Sequence, residues 1–335
     1  MSLSDARGRP LHDLRISITD RCNFRCTYCM PRDHFGSDHE YLPRESLLTY
    51  EEIIEVVEAL FPLGLRKVRL TGGEPMLRRD LPHLIEGIRA VSSELDIAMT
   101  TNGALLAQHA VKLAKAGLDR VTVSLDALDE AVFQSMADTD SFSPQGVLRG
   151  IKAAQEAGLG VKVNTVVKKH VNEQEIIPLT KFFKDANIPL RFIEFMDVGN
   201  TNAWNIADVV SGKEIRALLQ QHFGNLKQTP SSIKGEVAKR FMFDDGYEVG
   251  MIESVTAPFC GDCTRARLSA HGSIYTCLFT SKGHDIKSML RMGATKEHIQ
   301  TAIQSIWTQR NDQYSKDRSD QTLDLPKVEM SFIGG

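Results

Sequence analysis

The chain has 335 residues, 42% hydrophobic and 25% charged, with a formal net charge of -3 at pH 7. That length suits one large domain or a domain with an extension, and the mild charge argues against a nucleic-acid or membrane surface as the main business. No run of about 18 apolar residues occurs, and the start MSLSDARGRP lacks the apolar core of a signal peptide, so a soluble cytoplasmic protein is expected.

The first element in chain order is a strand over Leu14 to Thr19, followed at once by CNFRCTYC with Cys22, Cys26 and Cys29. These three thiols share one tight loop, whereas an iron–sulfur cube normally takes four cysteines. Three ligands leave one metal position open, which is what separates a catalytic centre from a structural one. The bland alternative is a zinc knuckle completed by a histidine such as His34. CxxxCxxC with Tyr28 before the last cysteine resembles the signature of the radical S-adenosylmethionine superfamily. The resemblance implies that the open iron binds S-adenosylmethionine, which one electron then splits to methionine and a 5′-deoxyadenosyl radical.

Next comes TYEEIIEVVEAL, where Thr49 and Glu52 make a capping box and Ile53, Ile54, Val56, Val57 and Leu60 recur at helical spacing, closed by Gly64. Lys67 to Leu70 reads as a strand ending in TGGEP, Asp80 to Val91 as a helix, and Asp96 to Met99 as a strand running into TTNG. A helix over Leu105 to Ala116, a strand over Arg120 to Leu125, and helices around Asp129 to Met136 and Gln145 to Ala157 follow. Val161 to Val167 is a strand, Glu173 to Ala186 a helix, and Leu190 to Met196 a sixth strand. The segment ADTDSF before Pro144 has no clear place.

Six strand–helix units predict a parallel α/β sheet. CNFRCTYC, TGGEP, TTNG, SLD and EFMD all follow strand ends, the face where β/α barrels build their sites, and an open sheet would concentrate ligands at one switch point. A barrel is therefore expected, and the superfamily resemblance implies an incomplete (βα)6 TIM-type barrel, open at one side. From about residue 200 the pattern changes. A helix over Lys213 to His222, a hairpin turning at Asp245-Gly246, a second around His271-Gly272, and a helix over Glu297 to Trp307 form a smaller α+β module. The expected division is residues 1–200 for the partial barrel and 201–335 for the module closing it.

In a barrel strand, alternate side chains face the helices and the lumen, and the helix side must be apolar. Arg15, Arg69, Lys162 and Arg191 each sit between apolar neighbours, so four strands send a cation inward. Burying unpaired charge is expensive, so these residues need partners. Glu74, Asp126 and Glu194 are candidate internal ones, and an anionic ligand such as a phosphate is the other source. In TGGEP, the two glycines permit close backbone approach, and Glu74 is positioned to accept from an ammonium group.

All six cysteines fall in two triads, the second being Cys260, Cys263 and Cys277. In a reducing compartment such groups favour metal ligation over disulfides. A Cys3His zinc site using His271 is the rival. Arg265 and Arg267 flank this triad, an odd placement unless an anion comes near.

FCGDCTRARLSAHGSIYTC, RLTGGEP, TTNG, VSLDA, VKVN and RFIEFMDVGN together closely resemble the GTP 3′,8-cyclases, over nearly the whole chain. These are lyases that open molybdenum cofactor biosynthesis. The resemblance implies a second [4Fe–4S] cluster, with an open iron that binds the guanine of GTP. It also implies S-adenosylmethionine contacts at Tyr28, Gly73, Ser124 and Met196, and GTP contacts at Arg15, Arg69, Thr100, Lys162, Arg265, Ala266 and Arg267, with Arg191 a plausible addition. The terminal Gly334-Gly335 is implied to reach the active site. Expected partners are GTP, an electron donor, a downstream enzyme taking the cyclic nucleotide, and a second copy in a homodimer. The runner-up is another radical S-adenosylmethionine enzyme with an auxiliary cluster, such as a peptide maturase. A non-enzymatic metal-binding or electron-transfer protein is the third reading.

Overall fold

The computed structural model of the chain describes residues 3–230, 235–318 and 326–334. Strands β1 (Asp13–Ser17), β2 (Lys67–Thr71), β3 (Asp96–Thr101), β4 (Arg120–Ser124), β5 (Gly160–Val167) and β6 (Leu190–Glu194) pair in sequence order and all run parallel. Between them run helices α1 (Tyr50–Leu60), α2 (Leu81–Val91), α3 (Leu106–Lys115), α4 (Glu130–Ala137), α5 (Pro144–Glu156) and α6 (Ile176–Asp185). The expected elements recur with boundaries moved by a residue or two. The start of the segment expected as one helix from Glu173 is a 3-10 turn over Glu173–Glu175.

Local chemistry explains the helix starts. Thr49 and Glu52 close a reciprocal capping box on α1, and Ser143 caps α5, whose first residue is Pro144. Apolar stripes then bury against the sheet: Ile53, Val56, Val57 and Leu60 of α1 meet the outer faces of the strands, where Leu14, Ile16, Val68 and Leu70 are fully buried. Burying a side chain of this size contributes about 1.5–3 kcal/mol.

The rest of the chain comprises α7 (Gly212–Phe223), β7 (Leu226–Thr229), β8 (Lys239–Phe243), β9 (Glu248–Ile252), β10 (Arg265–Leu268), β11 (Ser273–Tyr275), β12 (His284–Asp285), α8 (Lys287–Arg291), α9 (Lys296–Thr308) and α10 (Met330–Ile333). Its strands are not merely laid against the barrel but extend its sheet from both edges. β10 pairs parallel with β1 and β9 parallel with β6, giving one twelve-stranded sheet in the order β12-β11-β10-β1-β2-β3-β4-β5-β6-β9-β8-β7. The two outer hairpins, β7–β8–β9 and β10–β11–β12, are antiparallel. No pairing among the described residues joins the two ends, so the barrel stays incomplete. No described helix is long and apolar enough to cross a membrane.

The ADTDSF segment, unplaced by sequence pattern, braces the first cysteine loop. Arg25 N donates to Ala137 O at 2.9 Å and Thr27 N to Met136 O at 3.0 Å, while Phe142 packs on Phe24 with ring centroids 5.3 Å apart.

Candidate active site between two cysteine triads

Strand alternation puts Asp13, Arg15 and Ser17 of β1 on the lumen side and Leu14 and Ile16 toward the helices. The same alternation on the neighbouring strands lines a cavity of about 860 Å³. Cys22, Cys26 and Cys29 line it, and so do Cys260, Cys263 and Cys277. All six thiols are free.

The N-terminal cysteine loop is held by the end of β2. Gly73 N donates to Thr19 O and Glu74 N to Arg21 O, both at 2.8 Å. A Cβ on Gly72 or Gly73 would collide with the Thr19 or Arg21 carbonyl, so both positions are fitted to glycine. The close approach is thus to the loop backbone, while Gly73 still lines the cavity. Glu74 turns inward. It accepts from Thr101 Oγ1 and Asn102 N at 2.9 Å and from Met76 N at 3.2 Å. Burial raises its pKa to about 7, against those bonds. Tyr28 lines the same end and donates its hydroxyl to Asp126 Oδ2 at 2.8 Å, with Ser124 and Met196 also on the wall.

Burial pushes the Cys22 thiol up to about 11 and the Cys277 thiol up to about 12, and it raises Cys26 and Cys29 too. Burial acts on Cys263 as well, but Arg265 and Arg310 outweigh it and draw that thiol down to about 7. Two buried arginines brace this second loop: Arg9 Nη1 donates to Cys260 O at 3.0 Å and Arg310 Nη1 to Cys263 O at 2.8 Å. His271 is committed elsewhere, its ring nitrogens meeting Ser269 Oγ at 2.9 Å and Ser273 Oγ at 3.1 Å, and it stacks on Phe332. A zinc site drawing on His271 therefore loses its fourth ligand. Among the described residues no three His, Cys, Asp or Glu side chains gather to hold a single metal ion. Cys260 and Cys263 from one turn and Cys277 from beyond β11, all free and facing the cavity, match the three ligands of an iron–sulfur cluster with one open iron.

Between the triads lie the cations. Arg15, Arg69, Lys162, Arg191, Arg265 and Arg267 all line the cavity, and among the described residues none has a carboxylate at ion-pair distance. The three candidate internal partners are occupied. Glu74 holds the groups named above, Asp126 takes Tyr28 and Val166 N, and Glu194 takes Gly212 N, Val255 N and Thr256 N at 2.9 Å each. Arg69 Nη1 reaches only hydroxyls, Thr100 Oγ1 at 3.1 Å and Thr122 Oγ1 at 3.2 Å. Burial is the main cause lowering Arg69 and Arg191 to about 10 and Arg15 to about 9, and it lowers Lys162 and Arg267 as well. Arginines at those values remain charged at neutral pH.

Two positions named from sequence lie off the cavity wall. The Ala266 side chain is buried on the opposite face of β10, in register with Leu14, so only its backbone is near the lumen. Gly334 sits above Ser17 and Thr71, and its carbonyl accepts from Arg267 Nη1. Gly335 lies outside the described residues. Sequence reasoning misses Thr122, Arg120, Asn102, Arg9 and Arg310, of which the last three lie in irregular segments without a period to read. Strand alternation applied to β4 would have found Thr122 and Arg120.

A partial parallel barrel with a three-cysteine loop at the end of its first strand defines a radical S-adenosylmethionine enzyme. Residues 16–183 match the Radical SAM superfamily model and residues 188–316 the Molybdenum Cofactor Synthesis C model. The chain is 46% identical to a GTP 3′,8-cyclase of Staphylococcus haemolyticus and 44% identical to one of Staphylococcus aureus, each match covering 99% of both chains. Among solved structures, Streptococcus suis SuiB bound to S-adenosylmethionine superposes with a TM-score of 0.60 at 17% identity, over 89% of this chain and 68% of that one, a likeness of fold. The chain belongs to the GTP 3′,8-cyclase family of the radical S-adenosylmethionine superfamily. Membership implies S-adenosylmethionine and an iron–sulfur cluster.

Proposed function

We propose that the protein is a lyase converting GTP to (8S)-3′,8-cyclo-7,8-dihydroguanosine 5′-triphosphate, the first step of molybdenum cofactor biosynthesis. The observation that carries this reading is the single cavity walled by two cysteine triads, with cations between them that have no carboxylate partner among the described residues. Cys22, Cys26 and Cys29 would hold one [4Fe–4S] cluster, and Cys260, Cys263 and Cys277 a second. When bound, the first cluster and S-adenosylmethionine would supply a 5′-deoxyadenosyl radical able to take the hydrogen from C3′ of GTP, so that C3′ bonds to C8, and one further electron from the external donor with a proton would complete the 7,8-dihydro product.

The chain's own residues bind and orient. Tyr28, Gly73, Ser124 and Met196 form the wall for S-adenosylmethionine beside the first triad. Arg15, Arg69, Lys162 and Arg191 grip the triphosphate, with Thr100 fixing the Arg69 guanidinium. Arg265, Arg267 and the backbone of Ala266 orient the base toward the second triad. The Gly334 carbonyl positions Arg267. Residues 1–200 thus act as the radical-generating barrel, and residues 201–335 supply the second triad and close the cavity. The protein works in the cytoplasm as a homodimer, takes electrons from a separate donor, and passes its product to a downstream enzyme.

Anaerobic reconstitution tests this reading. About eight irons per chain are expected, falling to about four when Cys260, Cys263 and Cys277 are all replaced by alanine. 5′-Deoxyadenosine should form only with reductant and much faster with GTP present. Colourless, zinc-loaded protein, or cleavage indifferent to GTP, would sink it.

A further inference from the structure

Four strands of the barrel, β1, β2, β5 and β6, each present one cation to the cavity that has no carboxylate at ion-pair distance among the described residues, namely Arg15, Arg69, Lys162 and Arg191, whereas Lys67 of β2 and Arg120 of β4 are paired with Asp13 and Asp96. The acidic side chains on the same wall are committed, except that one buried oxygen of Asp13, Oδ1, has no hydrogen-bond partner. Asp13 faces Lys67 at 3.5 Å, Asp96 is paired with Arg120, and Glu236 with Arg240 at 2.7 Å. Asp312 takes Thr276 Oγ1 at 2.7 Å and Arg310 at 3.2 Å. Asp126 and Glu194 are held by the hydroxyl and amide donors already described. A magnesium ion in a phosphate site normally takes one or two carboxylates besides phosphate oxygens and water.

From this charge arrangement we infer that the nucleotide is bound as the metal-free, fully ionised triphosphate and not as its magnesium complex, an inference that rests on the cyclase reading. A fully ionised triphosphate carries about four negative charges, matching Arg15, Arg69, Lys162 and Arg191 one for one. Adding a divalent cation would leave two positive charges uncompensated in a site whose one spare carboxylate oxygen, Asp13 Oδ1, belongs to a group already facing Lys67. Arg265 and Arg267, which also line the cavity with no carboxylate at ion-pair distance among the described residues, only add to the positive side of this count.

The test is GTP binding to the full-length, anaerobically reconstituted protein by calorimetry, with S-adenosylmethionine present throughout. Magnesium chloride is compared with potassium chloride at matched ionic strength, since phosphate contacts weaken with salt in any case. When magnesium complexes about nine-tenths of the GTP, the apparent dissociation constant for total GTP should rise about tenfold by mass action. The exchange-inert chromium(III)–GTP complex should fail to displace GTP. Affinity that is unchanged or tightened by magnesium, or chromium–GTP competing as well as GTP, overturns the inference. Absence of GTP binding in both salts would instead remove the cyclase reading, and the inference with it.

Discussion

Arg15 of β1 and Arg267 of β10 are direct register partners on adjacent parallel strands, both turned to the cavity, with Arg69 of β2 opposite Arg15 on its other side. Adjacent strands lie about 4.8 Å apart, and like charges facing each other across such a gap destabilise the sheet. A fold that places three guanidiniums in one row, with no carboxylate among the described residues at ion-pair distance and only Asp13 nearby, is built for an anion that arrives from outside.

Arg15→Met should therefore raise the stability of the nucleotide-free protein by about 1 kcal/mol, since replacing buried unpaired charge with an apolar chain of similar volume is neutral or favourable. The same variant should lose most of the stabilisation that GTP confers. Denaturant melts with and without GTP check both halves. A variant less stable without ligand yet fully stabilised by GTP would show that Arg15 is structural.

Glu74 gives a pH dependence with a definite sign. Burial holds its native pKa near 7, above the ordinary value of 4.5. The native state therefore keeps a proton that the unfolded chain has released, and stability falls as pH rises from 4.5 to 7. Over that window the contribution is about 3 kcal/mol. Glu74→Gln should flatten the slope whatever it does to baseline stability. Urea midpoints across the range, showing the same slope for both proteins, would count against a buried, protonated Glu74.

Asn102 points its amide at the first triad. Its Nδ2 lies 3.9 Å from Cys22 Sγ and donates to Asn23 Oδ1 at 2.8 Å. Hydrogen bonds to ligating sulfur raise the reduction potential of a cluster by withdrawing charge. Asn102→Ala should shift the midpoint of the N-terminal cluster negative by tens of millivolts, with iron content intact. A redox titration followed by electron paramagnetic resonance reads this directly, and an unmoved midpoint would restrict Asn102 to holding the loop.

The barrel is legible in the amino-acid sequence because its signals are local. Apolar periodicity marks the helices, and charges between apolar neighbours mark Arg15, Arg69, Lys162 and Arg191 as lumen residues, where the cavity wall indeed holds them. What stays hidden depends on pairing between distant segments. Nothing in RARL announces that β10 joins β1, more than two hundred residues away, or that β9 extends the sheet beyond β6. The expectation that Glu74 accepts from a ligand ammonium meets the same obstacle. Its partners in the structure, Thr101 and Asn102, come from the next strand end and are invisible in TGGEP alone.

The C-terminal segment is tied down by a polar latch near the first triad, close enough for Glu329 to raise the Cys29 thiol. Glu329 accepts from Asn200 N at 2.9 Å and Thr201 Oγ1 at 3.1 Å, and Lys327 Nζ meets Asp197 Oδ2 at 3.1 Å. Glu329→Ala should lower global stability by only about 1 kcal/mol. It should nevertheless speed hydrogen exchange across 326–334 and reduce turnover at least several-fold, because the tail no longer holds Arg267. Faster exchange with unaltered turnover would separate the tail from the chemistry.

Everything proposed for this protein depends on one cavity bringing a radical source and a nucleotide together between two thiol triads. The most direct measurement is the mass and bond connectivity of the nucleotide after the reconstituted protein is incubated with GTP, S-adenosylmethionine and dithionite. An isomer of GTP with a new bond between C3′ and C8, formed in step with 5′-deoxyadenosine, is the predicted result. Recovery of unchanged GTP while S-adenosylmethionine is consumed would contradict it.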